Sequence, residues 1–110
     1  MTPLSPDNDY LSAVLKLYLN LPETPSRIHP NDRKSAKALS DRSIPLVIIE
    51  SAFLLASLRR LMRSPDVPPL GPIRSLAYFF PVIQEVLANP FASDYLEYLR
   101  RKVALLGGRR

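Results

Sequence analysis

The sequence predicts an all-α protein, a single-domain bundle of five helices packed orthogonally around one buried central helix. Three observations carry this prediction. Apolar residues recur every three or four positions in five separate segments. The chain has twelve prolines, and most stand between these segments, where they end one helix or begin the next. No segment shows the period-two alternation of apolar and polar residues that is typical of a half-buried strand.

The first helix is predicted over about residues 6–19. Ser5 can cap its N-terminus, and Pro6 suits the first helical position because the backbone N–H that proline lacks would be unpaired there. Pro22 lies just beyond its end. The apolar stripe repeats at helical spacing and consists of Tyr10, Leu11, Val14, Leu15 and Tyr18.

The second and third helices differ sharply in composition. Helix 2, about residues 30–40, has only a thin apolar stripe of Ala36 and Leu39, so we expect it at the surface. Helix 3, about residues 45–62, is apolar around nearly its whole circumference until its basic last turn. Because a helix that is apolar on all sides is normally buried, helix 3 is the predicted centre of the fold.

Helix 4 is predicted over about residues 73–88, with a kink or a division at Pro81, whose ring excludes a regular hydrogen bond there. Helix 5 begins near Asn89 or Ser93 and ends at Gly107. The residues predicted to face inward on helix 4 are Ile73, Leu76, Ala77, Phe80, Ile83 and Leu87. Those on helix 5 are Tyr95, Leu96, Leu99, Val103 and Leu106.

Length and composition favour one globular domain over residues 1–106, followed by a flexible basic tail over residues 107–110. The 110 residues are 46% hydrophobic, and the net charge is +5. Residues 56–110 hold nine basic and four acidic residues, so the positive excess lies in this half. The sequence has no cysteine, no signal-peptide pattern and no apolar run long enough for a bilayer. We therefore predict a cytoplasmic protein without a membrane partner.

The residues that could carry catalysis are sparse. His29 is the one histidine, and no serine or carboxylate is patterned beside it, so we interpret it as an exposed loop or cap residue. The acidic residues are scattered singly, and no glycine-rich loop is present to hold a phosphate group. The prediction is a protein that is not an enzyme and that uses no cofactor and no metal.

Ten basic residues form the predicted nucleic-acid-binding set, grouped on helix 2, at the end of helix 3, at the start of helix 4 and late in helix 5. They are Arg33, Lys34, Lys37, Arg59, Arg60, Arg63, Arg74, Arg100, Arg101 and Lys102. Clusters that converge on one face would suit phosphate contacts, which position a nucleic acid without reading its sequence. Alternatively, cations late in helices 3 and 5 are stabilised by the helix dipole and need no ligand.

Aromatic residues provide a second candidate contact. Tyr78, Phe79 and Phe80 point in three successive helical directions, so one core cannot bury all three rings. The rings that the core leaves over, with Tyr78, Phe79 and Tyr98 as the candidates, can stack on unpaired bases or contact a protein partner or another copy of the chain. Packing in the core or in a dimer is the more common arrangement of such rings.

About half of the sequence, residues 32–87, resembles the helical C-terminal module of DnaD-type replication-initiation proteins, which occur in bacterial primosomes and in phage and plasmid replication proteins. The segment from Ala38 to Ala52, a short helix running into a long apolar one, is one part of this resemblance. The aromatic segment from Pro72 to Glu85 is the other. The resemblance implies binding to single- or double-stranded DNA and self-association through helices.

Two functional hypotheses follow. The first is a nucleic-acid-associated accessory module of a replication or mobile-element system, which binds the phosphates of DNA through its basic clusters. The second is a protein-interaction or homodimerisation module with no nucleic-acid binding, which uses an apolar groove between helices 3, 4 and 5. The groove hypothesis depends on exposure of large apolar residues there, namely Val47, Ile48, Leu54 and Phe79.

Overall fold

The computed structural model describes the backbone of residues 6–107 and the side chains of residues 9–107. The described chain is an all-α bundle with no strand, which confirms the predicted fold class. Ser5 and residues 108–110, the predicted cap and most of the predicted tail, lie outside the described residues. The helices are α1 (Pro6–Leu19), α2 (Pro30–Asp41), α3 (Leu46–Leu61), α4 (Phe80–Ala88) and α5 (Ser93–Gly107), with a 3₁₀ turn (Leu76–Phe79) before α4.

Helix α3 is the centre of the bundle, as its composition predicts. It packs against α1, α4, α5 and the 3₁₀ turn, and nine of its sixteen residues are buried. Burial is incomplete at its first turn, where Val47 is 53% exposed and Leu46 also reaches solvent. The described residues contain no helix with the length and hydropathy needed to cross a bilayer.

Three aromatic rings meet in the middle of the core. The ring of Phe53 on α3 lies 4.7 Å from that of Phe79, centroid to centroid, and Tyr18 on α1 meets both rings edge-on at 6.4 and 6.1 Å. All three side chains are essentially without solvent exposure. Edge-to-face rings at these separations attract each other through their quadrupoles, in addition to the burial of their area. The cluster therefore joins α1, α3 and the 3₁₀ turn into one core.

The hydroxyl of Tyr18 is the polar exception in this cluster. It is buried, and it has no hydrogen-bond partner among the described residues. Burial, with a smaller contribution from the negative charge of Asp32, raises the pKa of Tyr18 to about 12. The ordinary value is 10.0, so the folded protein holds this phenol neutral at a pH at which an unfolded tyrosine has lost its proton.

We therefore predict that Tyr18→Phe stabilises the protein by about 1 kcal/mol at pH 7, because it removes a buried hydroxyl without breaking a hydrogen bond. Below pH 10 the phenol is neutral in both the folded and the unfolded state, so its raised pKa does not change stability. Between about pH 10 and 12 only the unfolded state loses the proton, so the free energy of unfolding falls. Phenylalanine lacks this titration, so the advantage of the variant should grow to about 2 kcal/mol at pH 11. Urea unfolding followed by circular dichroism at both pH values measures it. A variant less stable than the wild type at pH 7 would contradict the prediction.

The predicted helix 4 is wrong in its start and in part of its inward face. Residues 73–75 are not helical, Leu76–Phe79 form the 3₁₀ turn, and α4 begins only at Phe80. Of the two predicted outcomes at Pro81, the division is confirmed and the kink is not, because the segment consists of the 3₁₀ turn followed by α4. Pro81 lies in the first turn of α4, where its missing N–H breaks no helical bond. Ile73, Leu76 and Ile83 are buried as predicted, and Leu87 is half-buried. Phe79 and Val86 are buried instead of Ala77, which is exposed, and Phe80, which is half-buried.

Helix α5 buries Leu96, Leu99 and Val103 as predicted. The prediction that Tyr95 and Leu106 face inward is wrong, because both are exposed. Gly107, predicted to begin the tail, is the last residue of α5 and packs closely on the chain just after α1: a Cβ there would lie 2.8 Å from Cγ of Pro22.

Candidate functional site

The segment between α3 and the 3₁₀ turn, residues 62–75, contains four prolines, and we call its residues 64–72 the proline-rich loop. Three adjoining grooves of about 430, 350 and 430 Å³ lie beside this loop, and all three are lined by Arg60 and Leu70. Their charged and aromatic lining residues come from α3, from the 3₁₀ turn and from the chain beside them. These residues are Glu23, Arg59, Arg60, Arg63, Arg74 and Tyr78. The structure thus brings four of the ten predicted cations and one predicted ring to one surface.

Arg60 ties this surface together. Its guanidinium donates hydrogen bonds to the carboxylate of Glu23 at 2.7 Å, to the carbonyl of Gly71 at 2.5 Å and to the hydroxyl of Tyr78 at 3.1 Å. It also lies over the Tyr78 ring, 5.4 Å from the centroid. Its side chain is only 5% exposed. Burial alone would lower the pKa of Arg60, but the bonds to Glu23 and Tyr78 outweigh it and raise that pKa. Arg60 therefore anchors the loop, and its donors are already occupied.

Glu23 is held in an uncommon backbone conformation beside Arg60. Its φ is 66°, in the left-handed region that non-glycine residues seldom adopt. Its carbonyl accepts the backbone N–H of Ile73 at 3.0 Å, while its carboxylate binds Arg60. Contacts at both ends of the residue offset the cost of this conformation and fix the chain that borders the grooves.

Arg59 is also paired. It makes a two-bond contact with the carboxylate of Glu85 on α4, and one of these bonds measures 3.0 Å. The hydrogen bonds raise the pKa of Arg59 and lower that of Glu85. Both side chains are about half exposed, so this pair joins α3 to α4 at the surface and adds little stability.

Arg63 and Arg74 are the cations of this surface that remain available. Both are exposed, and neither has a carboxylate partner among residues 9–107. Among the described residues, the Arg63 guanidinium donates only to the carbonyl of Pro68, with two bonds at 3.3 Å, so no partner there neutralises its charge. Tyr78 lies between them in the grooves, and its ring is 42% exposed. The surface thus combines two unpaired guanidinium groups with an accessible aromatic face.

The predicted cations of α2 do not line these three grooves. Arg33 and Lys34 are exposed in the first half of α2, while Lys37 pairs with Asp41 at 2.6 Å. The buried carboxylate of Asp32 accepts the backbone N–H of Leu76 at 3.0 Å, a contact between residues 44 apart in sequence. This bond holds the start of α2 against the 3₁₀ turn.

The predicted cluster on α5, which consists of Arg100, Arg101 and Lys102, does not line these grooves. Arg100 donates two bonds of 2.8 Å to Glu50 on α3 and also contacts Glu97; the bonds to Glu50 are the main cause of its raised pKa. Arg100 therefore links two helices, which is a structural role. Arg101 and Lys102 have no ion-pair partner in the described part of the chain.

The predicted ring contacts have mixed outcomes. Tyr78 and Tyr98 are exposed, and Tyr98 stacks on Tyr95 with the centroids 5.7 Å apart. The prediction that Phe79 is an exposed contact residue is wrong: it is 0% exposed, because the 3₁₀ turn directs its ring at Phe53.

Sequence reasoning missed the acidic partners. Glu23, Glu50 and Glu85 lie 26 to 50 residues from the arginines that they bind, so no local spacing indicates these pairs. The sequence does contain a signal for Asp32. It stands three positions after His29, the residue that precedes the helix-starting Pro30, and an acidic residue at this spacing is typical of a capping box. His29 is the N-cap of α2, as one of its two interpretations predicts: its Nδ1 accepts the N–H of Asn31, and Asp32 accepts the His29 N–H in return.

The described side chains include no group of three or more histidines and acidic residues that could hold a metal ion. No known family model matches the sequence, and comparisons with curated proteins and with solved structures gave no match.

Proposed function

We propose that this chain is a non-enzymatic, nucleic-acid-associated module that binds a single strand along the grooves beside the proline-rich loop. The observation that carries the proposal is the meeting of Arg63, Arg74 and the open ring of Tyr78 on one surface. An unpaired base has an accessible face that stacks on an aromatic ring, whereas a paired base does not. The two arginines flank this ring and suit the phosphates on either side of a stacked base.

The rigidity of the surface favours the same proposal. Arg60 fixes the orientation of the Tyr78 ring through a hydrogen bond to its hydroxyl and a cation over its face. A ring that is already ordered loses little conformational entropy when a base stacks on it. Arg33 and Lys34 are exposed on α2, whose start is bound to the 3₁₀ turn through the Asp32–Leu76 bond, and they add two positive charges to the field that attracts a polyanion.

The proposal also includes a biological setting, namely a replication or mobile-element system in the cytoplasm. The resemblance to helical modules of replication-initiation proteins supports an accessory role in a replication or mobile-element system. The absence of cysteine fits a reducing compartment, and we propose the cytoplasm. Of the four residues on which the second hypothesis depends, Ile48, Leu54 and Phe79 are buried and Val47 is exposed, so the observations favour the first hypothesis.

Fluorescence polarisation with a labelled oligothymidylate and a matched duplex tests the proposal. We expect binding of the single strand at low salt and a log–log salt slope of about −3, which corresponds to about four phosphates contacted. The variant Arg63→Glu/Arg74→Glu should bind at least about tenfold more weakly, because two phosphate contacts are replaced by repulsions.

A control of equal charge change is Lys16→Glu/Arg42→Glu. Both residues are exposed and lie outside the grooves, so we expect the control to weaken binding by only about twofold. Equal losses in the two variants would show that net charge alone attracts the strand. No binding at about 50 mM salt would remove the proposal altogether.

A further inference from the structure

The outward side of α5 forms a second surface without a partner, on residues that the grooves do not use. At 100° per residue, six side chains fall within an arc of about 120° that lies outside the narrower arc of the buried Leu96, Leu99 and Val103. We call this the α5 outer face, and it consists of Asp94, Tyr95, Tyr98, Arg101, Lys102 and Leu105. Leu105 is 65% exposed, and the two tyrosines are each more than a third exposed.

Charge on the α5 outer face is arranged symmetrically about Tyr98. Asp94 lies four residues before this tyrosine, and Lys102 lies four residues after it. The Asp94 carboxylate accepts only the adjacent backbone N–H of Tyr95, at 3.1 Å, and neither Asp94 nor Lys102 has an ion-pair partner among residues 9–107. Each charge is thus unbalanced within one copy.

We propose that the α5 outer face binds the same face of a second copy, with the two helices antiparallel and Tyr98 on the two-fold axis. In an antiparallel pair centred at Tyr98, residues whose numbers add to 196 lie opposite each other. Asp94 then faces Lys102 of the second copy, and Tyr95 faces Arg101, which can lie over its ring. The two-fold axis repeats both contacts, so the interface contains two Asp94–Lys102 ion pairs and two Arg101–Tyr95 contacts.

This arrangement explains the face better than other occupants do. A polyanion would be repelled by the unpaired Asp94 at one end, and an apolar partner surface would leave the charges of the face unpaired. The charge pattern is self-complementary, and Tyr95 stacks on Tyr98 at its centre. A two-fold pair of copies brings the opposite charges of this pattern together. One helix pair covers a small area, at the low end for specific interfaces, so the dimer is weak and reversible.

Sedimentation velocity over a range of concentrations tests the proposal. We expect the wild type to pass from monomer to dimer, with Asp94→Lys and Lys102→Asp each dimerising about tenfold more weakly, because both symmetric pairs become like-charged. An equimolar mixture of the two variants should regain association near the wild-type level. In the mixed dimer, the introduced lysine of one variant meets the introduced aspartate of the other, while the unchanged Lys102 meets the unchanged Asp94.

The mixture also separates recognition from folding, because a misfolded variant could not restore the contact. Lys34→Asp, an equal charge change on α2, is the control and should dimerise like the wild type. A wild type that stays monomeric up to about 1 mM overturns the proposal. So does a dimer that both α5 variants leave unchanged, or a mixture that stays monomeric. Since none of these residues lines the grooves, failure here leaves the single-strand proposal standing.

Discussion

Replacing Phe79 with alanine is expected to lower the free energy of unfolding by about 3–5 kcal/mol. The ring is 0% exposed and touches both other rings of the core cluster, Phe53 at 4.7 Å and Tyr18 at 6.1 Å. Its removal loses the transfer free energy of the side chain and leaves a cavity between α1 and α3, which the packed neighbours fill only in part. Chemical unfolding followed by circular dichroism measures the loss.

The neighbouring phenylalanine provides the control. Phe80 has the same side chain and lies one residue further on, but it is only partly buried at the edge of the core. Phe80→Ala should therefore cost about 1–2 kcal/mol, since less apolar area returns to water and no closed cavity forms. Equal losses at the two positions would mean that the core is centred elsewhere, and a larger loss at Phe80 would restore the inward face predicted from helical periodicity.

This pair of residues shows where sequence reasoning about the fold succeeds and where it fails. Helices α1, α2, α3 and α5 follow from apolar spacing and from the residues that begin and end them, because helical periodicity is clearest in segments of three turns or more. The fourth segment contains a 3₁₀ turn, which advances about 120° per residue and not 100°. Periodicity counted at α-helical spacing therefore directs Phe80 inward, whereas the actual turn buries Phe79.

The basic residues of the candidate site could be predicted from the sequence, but the acidic residues that pair with them could not. Spacings of one to four residues locate Arg59, Arg60 and Arg63 in one cluster at the end of α3. They do not reveal that Glu85 and Glu23 bind the first two and leave Arg63 available. Ion pairs between distant segments are a product of tertiary packing, so a count of basic residues overstates the charge that a surface offers to a ligand.

Asp32 is the residue whose importance is least visible in the sequence, and its loss should be the second large effect. One carboxylate oxygen accepts the N–H of His29, which closes the start of α2, and the other accepts the N–H of Leu76 at 3.0 Å. Alanine leaves the buried Leu76 amide of the 3₁₀ turn and the part-buried amide of His29, the N-cap of α2, without acceptors. We expect Asp32→Ala to cost about 3 kcal/mol, since each unpaired buried donor costs about 1–3 kcal/mol.

Two further variants separate hydrogen bonding from charge. Asp32→Asn keeps one acceptor oxygen and turns an NH₂ group toward the other amide, so it should lose about half as much as alanine. Asp41→Ala removes an exposed carboxylate that pairs with Lys37 four residues away, and it should change stability by less than about 0.5 kcal/mol. Urea unfolding ranks the three variants.

Hydrogen exchange tests the mechanism at the Leu76 amide itself. That N–H should lose protection in Asp32→Ala by more than the amides of α5 do, because its acceptor is gone while the acceptors in α5 are intact. Binding should respond as well, since the 3₁₀ turn carries Tyr78 and Arg74 lies two residues before Leu76. If Asp32→Ala and Asp41→Ala were equally stable, or if the Leu76 amide kept its protection, the buried carboxylate would not be what joins α2 to the proposed strand-binding surface.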